Sequence, residues 1–240
     1  MVKATRKPTE EIFAMIRSYK EKRRPKDFLH ILTVGCGGCT SVCMAGGQRE
    51  VLELNTELTE MARDARVPMR FSATTVERQC SPQFLEDIED LVQDCDCLLS
   101  CACGAGAQHL GDRYPTKPAF PALDTLFLGV DVDMGLYEER CRACKKCVLG
   151  ATGGICPLSR CSKGVLNGPC GGTREDGTCE LGRELRCAWN SIYERLREQG
   201  REDEILEIRP PMDWQEKGQG VLVQRGFEWR YDGHGGATSR

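Results

Sequence analysis

The chain has 240 residues, with 33 Lys or Arg against 36 Asp or Glu, a formal net charge of -3 and 40% hydrophobic residues. That length suits one large domain or two small ones, and the apolar content suffices for a real core. The balanced charge gives no case for nucleic acid as a partner, and without a run of about eighteen apolar residues no transmembrane helix and no membrane insertion are expected.

The N-terminal "MVKATRKPTEEIFAM" is basic but has no apolar stretch of the secretory kind, so a cytoplasmic location is expected. Sixteen cysteines in a reducing compartment read as metal or cluster ligands rather than disulfides. The three histidines, His30, His109 and His234, supply Cys/His zinc sites and histidine acid–base chemistry poorly.

In chain order, residues 5–24 read as an amphipathic helix with Ile12, Met15, Ile16 and Tyr19 on one face. Packing against the body of the protein is its ordinary use, and a partner-docking arm the sharper one. "FLHILTV" is a buried strand ending at Gly35. A helix follows from about Gly47 to Arg66, with Val51, Leu54, Leu58, Met61 and Ala65 on one face. "MRFSATTV" is a second strand. Ser81 caps a helix with Pro82 in its first turn and a stripe of Phe84, Ile88, Leu91 and Val92. "CDCLLSC" is a third strand, in which Cys95 and Cys97 read as small core residues. "AFPAL" and "TLFLGV" add one or two more. From Asp131 the periodicity vanishes, until a short helix returns at "CAWNSIYERLREQG" with Trp189, Ile192, Tyr193 and Leu196 on one side.

The expected organisation is an N-terminal helix over 1–27, an α/β domain over 28–133, a Cys-rich cluster domain over 134–209 and a tail over 210–240. Strand–helix–strand repetition predicts a small parallel sheet of the Rossmann or flavodoxin-like kind. The Cys-rich part is expected to be irregular and built around metal. The tail carries Trp214, Phe227, Trp229 and Tyr231 and, with the N-terminal helix, is a candidate docking surface.

Parallel sheets bind ligands beyond the carboxyl ends of their strands. Cysteines stand at three such places: Cys36, Cys39 and Cys43 after the first strand, Cys80 after the second, and Cys101 and Cys103 after the third. These loops supply enough thiolates for a four-ligand site. "GCGGCT" is not a dinucleotide fingerprint, because Thr40 stands where the third glycine belongs. Gly37, Gly38, Gly104 and Gly106 instead let backbone approach an inorganic core. Redox-active cysteines and buried inert thiols are the alternatives.

The second set begins with Cys141, Cys144 and Cys147, spaced C-x2-C-x2-C. Three thiolates on one loop match three corners of a four-iron cluster, whereas zinc ribbons use two C-x2-C pairs. The "CP" at Cys156 and Pro157 is like that of ferredoxins, but its spacing from Cys147 is too long. Cys161, Cys170, Cys179 and Cys187 complete eight thiols, enough for one cluster with spares or for two. Arg142, Lys145, Lys146, Arg160 and Lys163 offset the negative charge of such a cluster. Metal–thiolate bonds would replace a core too small to be stable alone; structural zinc is the alternative to iron–sulfur.

"CVLGATGGICPLSRCSKGVLNGPCGG", followed by "CE" and "CAWNSIYERL", resembles the C-terminal Cys-rich domain associated with methylenetetrahydrofolate reductases. "VGCGGCTSVCMAGG", "VERQC" and "CGAGAQ" resemble the rest of the small iron–sulfur subunit of the acetogen-type enzyme. Two cysteine sets, each with a complete ligand supply, predict at least two 4Fe–4S clusters, and the resemblance implies ligands at Cys36, Cys39, Cys43, Cys80 and Cys103 and among the eight downstream cysteines, with Cys101 as an extra. It implies a flavin-containing catalytic partner subunit, an upstream electron-donor protein and a place in one-carbon metabolism of the reductive acetyl-CoA (Wood–Ljungdahl) type. The residues agree on one point. This chain lacks a flavin motif, a nucleotide fingerprint and an acid–base pair, so it reads as a non-catalytic electron-transfer subunit.

Overall fold

The chain opens with a strand, β1 (Val2–Arg6), and not with the helix expected from residue 5. Proline disfavours helical geometry in the residue before it, and Pro8 places the start of α1 (Thr9–Arg23) after itself. The computed structural model describes residues 1–23, 28–212 and 222–231, so Trp214 lies outside the described residues. The chain divides into two units, Met1–Glu139 and Arg140–Arg240.

In the first unit, β2 (Leu29–Cys36) leads into a short helix, α2 (Cys39–Val42), and then α3 (Gln48–Asp64). β3 (Met69–Val76) follows, then α4 (Pro82–Glu86) and α5 (Glu89–Gln93). The single helix expected here is therefore two. Leu85, Ile88 and Val92 face the core, whereas Leu91 is exposed. β4 (Cys97–Cys101), α6 (Gly104–Arg113) and β5 (Ala119–Pro121) complete a four-stranded sheet in the order β3-β2-β4-β5. All three of its pairings are parallel. β6 (Leu123–Asp133) and β7 (Leu136–Cys141) carry regular structure past Asp131, where none was expected. They form a second sheet, β1-β6-β7, in which β1 runs antiparallel to β6.

Burial explains the order. β2 and β4 lie in the middle of the parallel sheet and are apolar on both faces, as central parallel strands are. One face packs on Val51, Leu54 and Leu58 of α3 and on Ile12, Phe13 and Ile16 of α1. The apolar stripe of α1 is thus spent inside its own unit. Thr9 and Arg6 pin its start to Glu57 of α3, at 2.6 and 3.0 Å. The other face holds Leu32, Val34 and Leu98 against Leu85, Ile88 and Val92. Cys95 and Cys97 are buried, as expected of core thiols.

In the second unit, α7 (Pro157–Arg160), the hairpin β8 (Thr178–Cys179) and β9 (Gly182–Arg186), and α8 (Ala188–Glu198) are separated by turns. Among its described residues the buried cluster is Trp189, Ile192 and Leu196; Tyr193, expected on that face, is half exposed. No helix among the described residues is long and apolar enough to cross a membrane.

Candidate metal centres

From β2 the chain passes through α3 to β3 on one side, then returns to β4 on the other. The strand order therefore switches direction between β2 and β4, and a crevice forms at such a point beyond the strand ends. The loop Cys36–Cys43 leaves β2 there, and Cys101 and Cys103 follow β4.

Two buried polar side chains fasten these loops, and sequence reasoning missed both. Thr40 donates to Cys36 O at 3.2 Å and to Cys101 O at 3.1 Å, tying the first loop to the end of β4. Gln79, beside Cys80, donates to Val34 O at 2.7 Å and to Gly35 O at 3.3 Å. Its other amide atom accepts from Ser100 at 2.7 Å. The loop bearing Cys80 is thereby locked to the ends of both central strands. A buried amide with every bond satisfied fixes one arrangement, because any shift would leave polar groups unpaired.

Close backbone contacts complete the convergence. Gly37 donates to Val76 O at 2.8 Å, and Cys36 to Gly46 O at 2.8 Å. A Cβ at Gly46 would overlap the Cys101 carbonyl, so only glycine lets that loop close on β4. A Cβ at Gly106 would stand 2.8 Å from Ala102 Cβ and 3.0 Å from Gln79 Cβ, which places the first turn of α6 against the Cys80 loop.

The thiols fall into two groups. Cys36, Cys39, Cys80 and Cys103 lie on the three converging loops, with Cys103 as N-cap of α6. Cys43 and Cys101 turn inward. Cys43 donates to Ala4 O at 3.5 Å and to Thr40 O at 3.6 Å inside the core. Burial pushes the Cys101 thiol up to about 12, which suits a protonated core residue and not a redox nucleophile.

In the second unit, Cys141 ends β7, and the loop after it is wound tightly. Ala143 and Lys145 both take left-handed backbone conformations, with φ of 48° and 67°. Each costs about 1–3 kcal/mol in a non-glycine residue and persists only where surrounding structure enforces it. Ala143 N–H donates to Cys141 Sγ at 3.3 Å. Ser159 of α7 donates to Arg140 O at 3.0 Å, which brings the helix capped by Cys156 to the start of that loop. Cys156 also lines a cavity of about 300 Å³ with Arg140, Arg160, Arg186 and Arg195.

Cys161, Cys170, Cys179 and Cys187 line a different, much smaller void of about 20 Å³, flanked by Lys163 and Trp189. Lys163 lies 3.8 Å from Cys170 Sγ and also pairs with Glu180. A backbone hydrogen bond from Gly172, followed in effect by the Lys163 charge, holds the Cys170 thiol below the usual thiol range.

Among the described residues, no three Cys, His, Asp or Glu side chains are already drawn to ligating distance of a common point. The donor chemistry nonetheless fits a soft metal. Both sets are built from thiols, and thiolates select zinc and iron–sulfur centres over hard cations.

Residues 120–215 match the family model described as methylene-tetrahydrofolate reductase C terminal. That span takes in all eight thiols of the second unit and α8. It associates the chain with a methylenetetrahydrofolate reductase system and hence with an oxidoreductase complex. No curated protein and no solved structure matches the chain.

Proposed function

We propose that this chain is the iron–sulfur electron-transfer subunit of a methylenetetrahydrofolate reductase complex, relaying electrons from an upstream donor protein to the flavin of a partner catalytic subunit. One observation carries the reading: the reductase match falls on a unit that holds eight thiols and whose described residues bury a cluster of Trp189, Ile192 and Leu196.

In the first unit Cys36, Cys39, Cys80 and Cys103 are the ligand set, and Thr40 and Gln79 hold their loops in register. Cys43 and Cys101 serve as core thiols. In the second unit Cys141, Cys144, Cys147 and Cys156 form a set, with the strained loop at Ala143 and Lys145 as its frame. A 4Fe–4S centre, where bound, supplies one-electron transfer at a potential tuned by charge and hydrogen bonds to sulfur. Arg140, Arg160, Arg186 and Arg195 place positive charge beside Cys156, which favours the anionic state of such a site.

Reduction of a methylene to a methyl group needs a two-electron hydride equivalent, which a flavin delivers. The folate and the hydride chemistry therefore belong to the partner subunit. Val130, Val132, Met134 and Leu136 expose apolar surface on β6, β7 and the turn between them, and Phe227 and Trp229 do so near the C-terminus. These are the candidate docking faces, since the stripe of α1 is buried. The second reading is a zinc-stabilised assembly module of the same complex, favoured by the small void beside Cys170.

Reconstitution tests the proposal. This chain alone should not reduce methylenetetrahydrofolate with any donor. A flavin subunit should co-purify with it, and the donor should reduce that flavin only when the chain retains its iron. Turnover by the isolated chain, or full activity of an iron-depleted complex with its donor, would refute the relay.

A further inference from the structure

We propose that Cys161, Cys170, Cys179 and Cys187 form a closed site for a single zinc ion, separate from any iron–sulfur centre. The inference deepens the reading of the second unit as metal-held, and it divides that unit's eight thiols four and four.

The division follows from contacts that gather these four residues from distant parts of the sequence. Trp189 donates from its indole to Val165 O at 2.9 Å, which brings the turn after Cys161 to the start of α8 and so to Cys187. Glu180 N–H donates to Gly172 O at 2.9 Å, which sets the Cys170 segment beside Cys179. In the β8–β9 hairpin Thr178 pairs with Arg186, and Cys187 N–H donates to Gly177 O at 3.0 Å, so Cys179 and Cys187 emerge side by side. Thr173 Oγ1 lies 3.0 Å from Cys187 Sγ and pairs by backbone with Cys179. All four cysteines then line one void, to which Cys141, Cys144, Cys147 and Cys156 contribute nothing.

The void favours a small occupant. At about 20 Å³ it takes one small ion among four sulfurs, where a water needs about 10–15 Å³. Four thiolates around one ion is the closed tetrahedral arrangement of structural zinc, with no position left for a substrate. Lys163 and Thr173 stand beside Cys170 and Cys187 as outer-sphere partners. Such groups orient the ligands and offset the negative charge of a tetrathiolate centre. Cys161 and Cys187 also pack against Trp189, Ile192 and Leu196, so the ion would extend the buried cluster among this unit's described residues.

The test is metal analysis of the full chain, purified anaerobically, with iron, sulfide and zinc measured on the same sample. The wild type should hold about one zinc per chain beside its iron, and zinc-edge absorption should give four sulfur ligands at about 2.3 Å. Cys170→Ser and Cys179→Ser should each lower zinc at least fivefold and leave iron and sulfide at wild-type levels. Cys144→Ser should do the reverse. Should the zinc-site variants fail to fold, cobalt exchange into the wild type decides, by the intense visible bands of a tetrahedral cobalt tetrathiolate. Loss of iron and sulfide together in Cys170→Ser, a wild type without zinc, or an absence of those cobalt bands would overturn the site. Zinc at one per chain with no iron or sulfide would refute the electron-transfer proposal and leave this site standing.

Discussion

The Ser100 hydroxyl donates to Gln79 Oε1 at 2.7 Å, and both side chains are fully buried. This bond joins the end of a central strand to the loop that carries Cys80. Gln79→Ala would leave the buried Ser100 hydroxyl without its acceptor. A loss of about 1–3 kcal/mol is expected for such an unsatisfied group. A urea melt checks it, and iron bound per chain should fall in the same variant because Cys80 loses its position. Wild-type stability in Gln79→Ala would show that the loop is held by something else.

Gly46 meets the Cys101 carbonyl with no room for a Cβ. Gly46→Ala should therefore push the Cys36–Cys43 loop off β4 and cost about 1–3 kcal/mol, the usual penalty for overpacking. Gly150 has open space around it, so Gly150→Ala serves as the control. Equal melting temperatures for the two variants would refute the close approach.

The Cys101 thiol is raised by burial from 9.0 to about 12, and the sign of its linkage follows. Below 9.0 the thiol is protonated in both folded and unfolded chains, and its contribution to stability is fully present. As pH rises from 9.0 towards about 12, the unfolded chain ionises first, and that stability is lost. Cys101→Ala should flatten the alkaline fall in stability over this window. Iodoacetamide at neutral pH should leave Cys101 unlabelled in the folded, metal-free chain while it labels the exposed Cys80. Rapid labelling of Cys101 would revive a redox role for that thiol.

Removal of the bound metal by a chelator should loosen the second unit far more than the first. Metal binding is coupled to folding where the apolar core is small, and the described residues of the second unit bury Trp189, Ile192 and Leu196 as a cluster. Limited proteolysis should give a resistant fragment ending near Glu139, the end of the first unit. Cleavage spread evenly along the chain would contradict independent units.

The strands β2 and β4 were legible in the sequence because the middle of a parallel sheet demands short, continuous apolar runs, and β3, at the sheet edge, because "MRFSATTV" is rich in β-branched and aromatic residues. α3 was legible because Val51, Leu54 and Leu58 recur at helical spacing. β1 and β7 were not. "VKATR" and "LYEERC" are short and mostly polar, and they become strands through pairing within the β1-β6-β7 sheet, which no local pattern announces. The break between α4 and α5 was hidden for a related reason: Ile88 fits a helical stripe while its backbone leaves helical geometry. The cysteines themselves announced the sites, but their grouping did not. Cys161 and Cys187 meet through a tryptophan indole and a hairpin, neither of which leaves a periodic trace. Thr40 and Gln79 were not legible, since hydrogen bonds to strand ends have no sequence signature.

The central claim is that metal–thiolate bonds of the iron–sulfur kind hold this chain together and serve electron transfer. Iron and acid-labile sulfide, measured on anaerobically purified chain, test it most directly. Two four-iron centres predict about eight iron and eight sulfide per chain. Zinc as the only metal, with no sulfide, would contradict it.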